Sequence, residues 1–498
     1  MSANSVPQKL VSDHFEVVDV PVQNESSAAV DEELIAFDRK MLLKLDIALV
    51  PMMAMLYLLA FLDRANIGNA RVAGLQKDLR LTEHQYQTAI TVTYVPYIAA
   101  ELPSNLLLKK IGPRILLPFL CTGWGIVTTL QSQIHNYPGL IACRFFLGLM
   151  EGGLFPGIVL YLSGFYRRHE LQVRVALFFS AAALSGAFSG LLAAAIQQMD
   201  GIGSLRGWQW IFCLEGLFTF CFGIFSFFVL PNSPDQVLTF TPEQSARCIE
   251  RLKLDIDLSE ADHVNSTTIL SIFKSPHIWL QCLSLFGSGA CLFGLAYFTP
   301  TIVQGLGYNP TLTQLMTVPP FTSAFIVTMV SAYLADRYRQ RGLAAIATSF
   351  VALAGIIMFY QGRGVAIRYT SLFLLITGVY ATAPSLISWV PNNTAAHTRR
   401  ASAIAMAFIF TNAGGIVSTW IFPQKDAPYY TFAAKFILAL TIIMIVIVAA
   451  NLYLLKRLNQ RKADQEWKEK VLERVGGLSV AEQIQILGDS HPDYKYTY

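Results

Sequence analysis

Six ionisable side chains stand within or at the margin of stretches that are otherwise apolar: Asp63, Arg64, Glu101, Arg144, Glu151 and Glu215. A charge at the centre of a membrane helix costs roughly 2.5–3.5 kcal/mol on insertion scales, so such groups face one another or a wet cavity. In the segment RFFLGLMEGGLFPG, Arg144, Gly148 and Glu151 recur at i, i+4 and i+7 and share one helix face. That spacing separates the two charges by about 10 Å, too far for direct pairing. Each requires another partner, and in YLLAFLDRANIGNA the carboxylate of Asp63 is the expected partner of Arg144, with Gly148 leaving room for a ligand. Arg64 is then a second cation directed into the same cavity. A guanidinium grips a carboxylate through two parallel hydrogen bonds, so Arg64 and Arg144 together predict a small organic anion as ligand. Glu151 is the expected proton carrier, because a carboxyl held away from water can load and release a proton in the physiological range. The same residues admit plainer readings. Asp63 and Arg64 can end the first span at the interface, with Arg64 reaching out to water; Arg144 and Glu151 can be a structural donor and acceptor. Glu101 and Glu215 are expected to serve structure or gating.

The elements that must position these groups are apolar runs. The 498 residues are 54% hydrophobic and 14% charged, against about 25% charged in ordinary soluble domains. Twelve runs recur, at 44–63, 85–108, 113–131, 138–163, 173–198, 207–230, 277–300, 313–335, 343–360, 368–390, 401–422 and 432–455. As helices, runs of about this length cross a hydrocarbon core of about 30 Å. The fold class predicted is an all-α membrane protein. Residues 1–43 lack the short apolar core and small-residue cleavage site of a signal peptide and read as a disordered cytosolic tail. Basic clusters at Lys109, Lys110 and Arg114, at Arg167 and Arg168, at Arg337, Arg339 and Arg341, and at Arg399 and Arg400 place both termini in the cytosol. The opposite loops QSQIHNYP and QGLGYNP contain no Lys or Arg. These clusters account for the net charge of +4, and no nucleic-acid surface is needed. The seven cysteines suggest neither a disulfide framework nor a CxxC metal site. HExxH, GxSxG and GxxxxGK[ST] are missing, which argues against an enzyme and an ATP-driven pump, and no cofactor is implied.

Residues 231–276 change to polar sequence, TPEQSARCIERLKLDIDLSEADHVNSTT, with one short amphipathic helix expected near 242–254. Six spans (44–230) precede this cytosolic linker and six (277–455) follow it, before a cytosolic tail at 456–498. Six plus six is the layout of carriers built from repeated halves, which hold substrate at the midplane between them. A trace of the repeat survives. Asn105, Lys109, Lys110 and Arg114 follow the second span at the spacing with which Ala332, Asp336, Arg337 and Arg341 follow the eighth. The pattern resembles the loop signature of the major facilitator superfamily, in which an acid at the fifth position latches helices on the cytosolic side. Asp336 keeps that acid and Lys109 replaces it in the first half. Lys109, Arg114, Asp336, Arg337 and Arg341 are therefore assigned to gating and structure, with Glu101.

DRANIGNA, ELPSNLLLKKIGPR, RFFLGLMEGGLFPG, LPNSP, NNTAAHTRR, FTNAGGI and LGDSHPDYKY, in that order, resemble the fungal allantoate permease group of the anion:cation symporters from about residue 35 onward. The resemblance implies a twelve-helix major facilitator fold and a carrier of carboxylates such as allantoate, nicotinate, pantothenate or biotin, moved with protons across the plasma membrane. In the wider family an Asp-Arg pair in the first helix and an Arg…Glu pair in the fourth bear substrate and proton, and these match Asp63, Arg64, Arg144 and Glu151. It also makes Asn412 a polar substrate contact from the second half, or else a packing amide beside Gly414 and Gly415. Phe61 stands where a Tyr is common in the family. The expectation is a monomeric, proton-coupled importer of a small organic anion, working in the lipid bilayer by alternating access. An exporter of an acidic metabolite and a nutrient sensor without transport are the alternatives.

Overall fold

A computed structural model describes residues 25–257, 272–395, 397–473, 475, 476, 483 and 487–498. Twelve long passes account for most of them: α1 (Glu25–Val72), α2 (Glu83–Ile111), α3 (Pro113–Gln131), α4 in two segments (Tyr137–Glu151 and Leu154–Ser163), α5 (Arg168–Ile196) and α6 (Gly207–Val229) form the first half. The second half holds α7 (Pro276–Gln304), α8 (Pro310–Tyr338), α9 (Arg341–Gln361), α10 (Val365–Asn392), α11 (His397–Ser418) and α12 (Thr431–Lys462). Among the described residues eleven passes are long and apolar enough to cross a membrane. α2, which carries Glu101, Ser104 and Asn105, is the twelfth by length and position. Twelve passes bring the chain ends and the linker to one face, called here the terminal face; the opposite one is the distal face.

Starts at the distal face are written into the sequence. Thr82 and Gln85 cap α2 reciprocally, and Asn136 and Asn309 accept from Gly139 and Leu312 to open α4 and α8, each with a proline in the first turn. Two spans differ from expectation. α1 is helical from Glu25 rather than disordered up to residue 43, and it runs on through Asp63 and Arg64 to Val72. Asp63–Arg64 is therefore not an interfacial helix end. α4 breaks at Gly152–Gly153, immediately after Glu151, where a Cβ on either glycine would collide with α2 at Tyr97 or Ser104.

At the terminal face the linker helix Pro242–Asp257 docks on the first half. Its Arg247 and Arg251 reach Asp38 at 3.2 and 3.3 Å, Arg251 also pairs with Glu170, and Gln244 accepts from Lys44 at 3.0 Å. The chain end docks on the second half. Asp489 pairs with Arg399 at 2.7 Å, Tyr494 donates to the Asn392 carbonyl at 2.7 Å, and Trp389 donates to that of Thr497 at 2.9 Å.

Candidate functional site

Consecutive residues on an α-helix point about 100° apart, and on α1 that rotation divides Asp63 from Arg64. The Arg64 side faces the space between the halves; the Asp63 side faces the interior of the first half. Arg64 donates to Glu151 Oε2 from Nη2 at 2.8 Å and from Nε at 3.2 Å. Both are buried: Glu151 is 0% exposed, Arg64 7%. Glu151 Oε1 has no hydrogen-bond partner among the described residues. The guanidinium sits among three rings, Tyr97 at 4.9 Å, Phe61 at 5.4 Å and Phe293 at 5.6 Å.

Arg64 lines a cleft between the halves. Tyr57, Phe61, Tyr97 and Phe155 line it from the first half, and Ser288, Phe293, Phe408, Thr411 and Asn412 from the second. Towards the terminal face it is capped by Phe155 against Phe408, with centroids 4.2 Å apart. Towards the distal face it is capped by a 2.9 Å hydrogen bond between the Tyr94 and Tyr297 hydroxyls. Beyond that cap the halves are joined by Thr91–Thr419 at 2.7 Å, Gln314 to the Asn69 carbonyl at 3.1 Å and Arg71–Gln424 at 2.9 Å. The distal side is closed by hydrogen bonds and the terminal side of the cleft by two apolar rings. Rings part from one another without leaving an unpaired polar group, so the terminal side is the cheaper one to open.

The expected Asp63–Arg144 ion pair is not formed. Asp63 accepts instead from Thr219 at 3.3 Å. Arg144 is 2% exposed, lies 5.8 Å from the Phe212 ring and leaves Nε and Nη2 without partners among the described residues. It does not line the cleft. Arg64, read from sequence as a second cation directed into the cavity, is the one in the cleft and is held by Glu151. Nor does Gly148 leave room for a ligand: a Cβ there would strike the Thr93 carbonyl, so the glycine serves close packing of α4 on α2. Asn412, 3% exposed, lines the cleft opposite Arg64.

The remaining expected residues lie apart from the cleft. Glu215 accepts from Asn66 inside the first half, and Glu101 Oε2 is buried without a partner among the described residues. Asp336 pairs with Arg341 at 2.5 Å, and Arg341 also donates to the Ser388 carbonyl at 2.7 Å, tying the α8–α9 turn to α10. Arg337 reaches the Tyr333 hydroxyl at 3.2 Å, and Arg114 donates to Gln236 at 2.9 Å. The Lys109 side chain lies outside the described ones. Sequence reasoning missed the Tyr94–Tyr297 cap and the Phe155–Phe408 cap. Aromatic residues in apolar helices carry no signal that separates a gate from a core.

Two six-helix halves around an occluded cleft, with an ion pair at its wall, define a membrane carrier. The chain belongs to the Major Facilitator Superfamily, whose family model matches residues 53–419. It is 36% identical over 425 residues to an uncharacterized transporter of Schizosaccharomyces pombe, covering 85% of this chain and 84% of that one. It is 33% identical over 467 residues to the high-affinity nicotinic acid transporter of Saccharomyces cerevisiae, covering 93% and 85%. Among solved structures, a D-xylose-proton symporter superposes with a TM-score of 0.63 at 15% identity, covering 81% of this chain and 97% of that one. The family is one of transporters rather than enzymes.

Proposed function

We propose that this transporter imports a small organic anion together with protons across the plasma membrane, as a monomer with its terminal face in the cytosol. The observation that carries the reading is the Arg64–Glu151 pair at the cleft wall. Glu151 Oε2 occupies the Nε–Nη2 edge of the guanidinium, the side-on edge through which a substrate carboxylate would accept two hydrogen bonds. A proton on Glu151 neutralises the competitor and releases Arg64 to the anion. Loss of the proton returns Arg64 to Glu151 and expels the anion, so proton and substrate are bound and released together. Asn412 supplies a polar contact from the second half, and the rings around Arg64 suit a flat acid. A relative named as a nicotinic acid transporter supports that class. The cleft is completed by two halves of one chain, so no second copy is required. Arg114, Arg167, Arg341, Arg399 and Arg400 at the terminal face support its cytosolic side.

The test is uptake of labelled nicotinate, pantothenate, biotin and allantoate by cells lacking their own carriers. At least one acid should accumulate, faster as external pH falls, and a protonophore should abolish the gradient. Accumulation indifferent to pH and protonophore would reject proton coupling, and transport of neutral solutes alone would reject the anion.

A further inference from the structure

Between α1, α3 and α6, inside the first half, buried polar atoms stand without hydrogen-bond partners among the described residues. They are Asp63 Oδ1, Glu215 Oε1, Trp124 Nε1, Thr128 Oγ1 and both polar side-chain atoms of Gln131. Their residues are at most 5% exposed. Folded interiors leave few such atoms, and where they cluster an ordered water satisfies them.

Their levels are fixed by the close packing of α3 on α6. Gly125 abuts the backbone at Thr219–Phe220, Gly216 abuts Thr128–Thr129, and Gln209 donates to the Ser132 carbonyl at 2.8 Å. Trp124 is therefore level with Thr219 and Asp63, Thr128 with Glu215, and Gln131 with the distal end near Gln209. The three α3 residues, at i, i+4 and i+7, form one stripe about 10 Å long. The Trp124 indole stands close enough to the Asp63 carboxylate to act on it. On α1, Asp63 and Asn66 share a face, and Asn66 donates to Glu215. Past Gln131 the chain emerges at exposed Gln133, His135 and Asn136. The groups that face Asp63 are Thr219, Cys121 and the charges of Glu151, Arg144 and Glu215. No residue of the column lines the cleft.

We propose that this column is a water-filled proton entry path within the first half, running from Gln131 at the distal face past Thr128 and Trp124 to Asp63 and Glu215. It rests on the proton-coupled reading given above. Each water accepts one proton and passes one on, and the last hydronium gives its proton to a carboxylate and remains as water. The path reaches the carboxylates while the distal seal between the halves stays shut. Protons and anion thereby enter by different doors.

Hydroxyl-radical footprinting of the purified full chain reads water at Trp124 directly and needs no substrate. Trp124, though 0% exposed, should be oxidised, and Thr128→Val with Gln131→Leu should suppress it while leaving the surface sites unchanged. An unlabelled Trp124 in the wild type overturns the path whether or not the protein couples protons. In vesicles loaded with a pH dye, the panel acid that the wild type accumulates should drive proton entry. The double variant should lose on the order of tenfold in that rate, about one relay hydrogen bond, and keep acid-for-acid exchange. Equal proton entry in both overturns the path. Absence of proton entry in the wild type, with Trp124 labelled, overturns the coupling reading and leaves a hydrated column.

Discussion

Arg144 and Arg368 are both buried arginines of a spanning helix, and they are treated in opposite ways. Arg368, 4% exposed, donates to the carbonyls of Gly362 at 3.1 Å, Pro428 at 2.7 Å and Tyr429 at 3.4 Å, and lies 4.3 Å from the Tyr429 ring. Arg144 leaves two nitrogens without partners among the described residues. The contrast extends to the halves. The second half spends its ions at its ends, in Asp336–Arg341 and Asp489–Arg399. The first half holds Asp63, Arg64, Arg144, Glu151 and Glu215 in its middle, several of them under-satisfied. A buried polar group lacking a partner costs about 1–3 kcal/mol, more if charged. Buried ionisable groups held in the middle of the first half, and at the ends of the second, fit the proton work proposed for the first and scaffold work for the second.

That division can be broken at single residues. Arg64→Ala should abolish uptake of the anion while leaving the protein folded, since it removes the cation at the cleft wall; wild-type uptake would remove Arg64 from the site. Glu151→Gln should retain exchange of labelled for unlabelled acid but lose accumulation against a gradient. An accumulating Gln variant would show that the proton is carried elsewhere. Asn412→Ala should weaken binding by about tenfold, the worth of one hydrogen bond near 1.4 kcal/mol, which a binding titration reads. Smallest in transport is Arg368→Gln. It should lower thermal stability by roughly 1–3 kcal/mol through its abandoned carbonyls and leave the transport rate per folded molecule unchanged. A large transport defect there would erase the contrast between the halves.

Much of this architecture is legible in the residues. Apolar runs near twenty residues long have few other fates, so the passes, the linker and its helix at Pro242–Asp257 follow from hydropathy. The costly charges mark themselves by type alone. Their pairing does not, because it depends on helix rotation: one residue step on α1 sends Asp63 to Thr219 and Arg64 to Glu151. Gly148 reads equally as ligand space or close packing until α2 is placed against it. The docking of the chain end was hidden for a similar reason. LGDSHPDYKY is polar and looks like a tail, yet Asp489 is buried beneath Arg399 and His277.

The central claim is that Glu151 and the anion compete for one guanidinium. Affinity of the purified protein for its accumulated acid, measured across pH, tests it most directly. For the wild type, affinity should fall as pH rises and Glu151 reclaims Arg64; Glu151→Gln should bind tightly and evenly across the same range. A Gln variant that keeps the wild-type pH dependence would contradict the account.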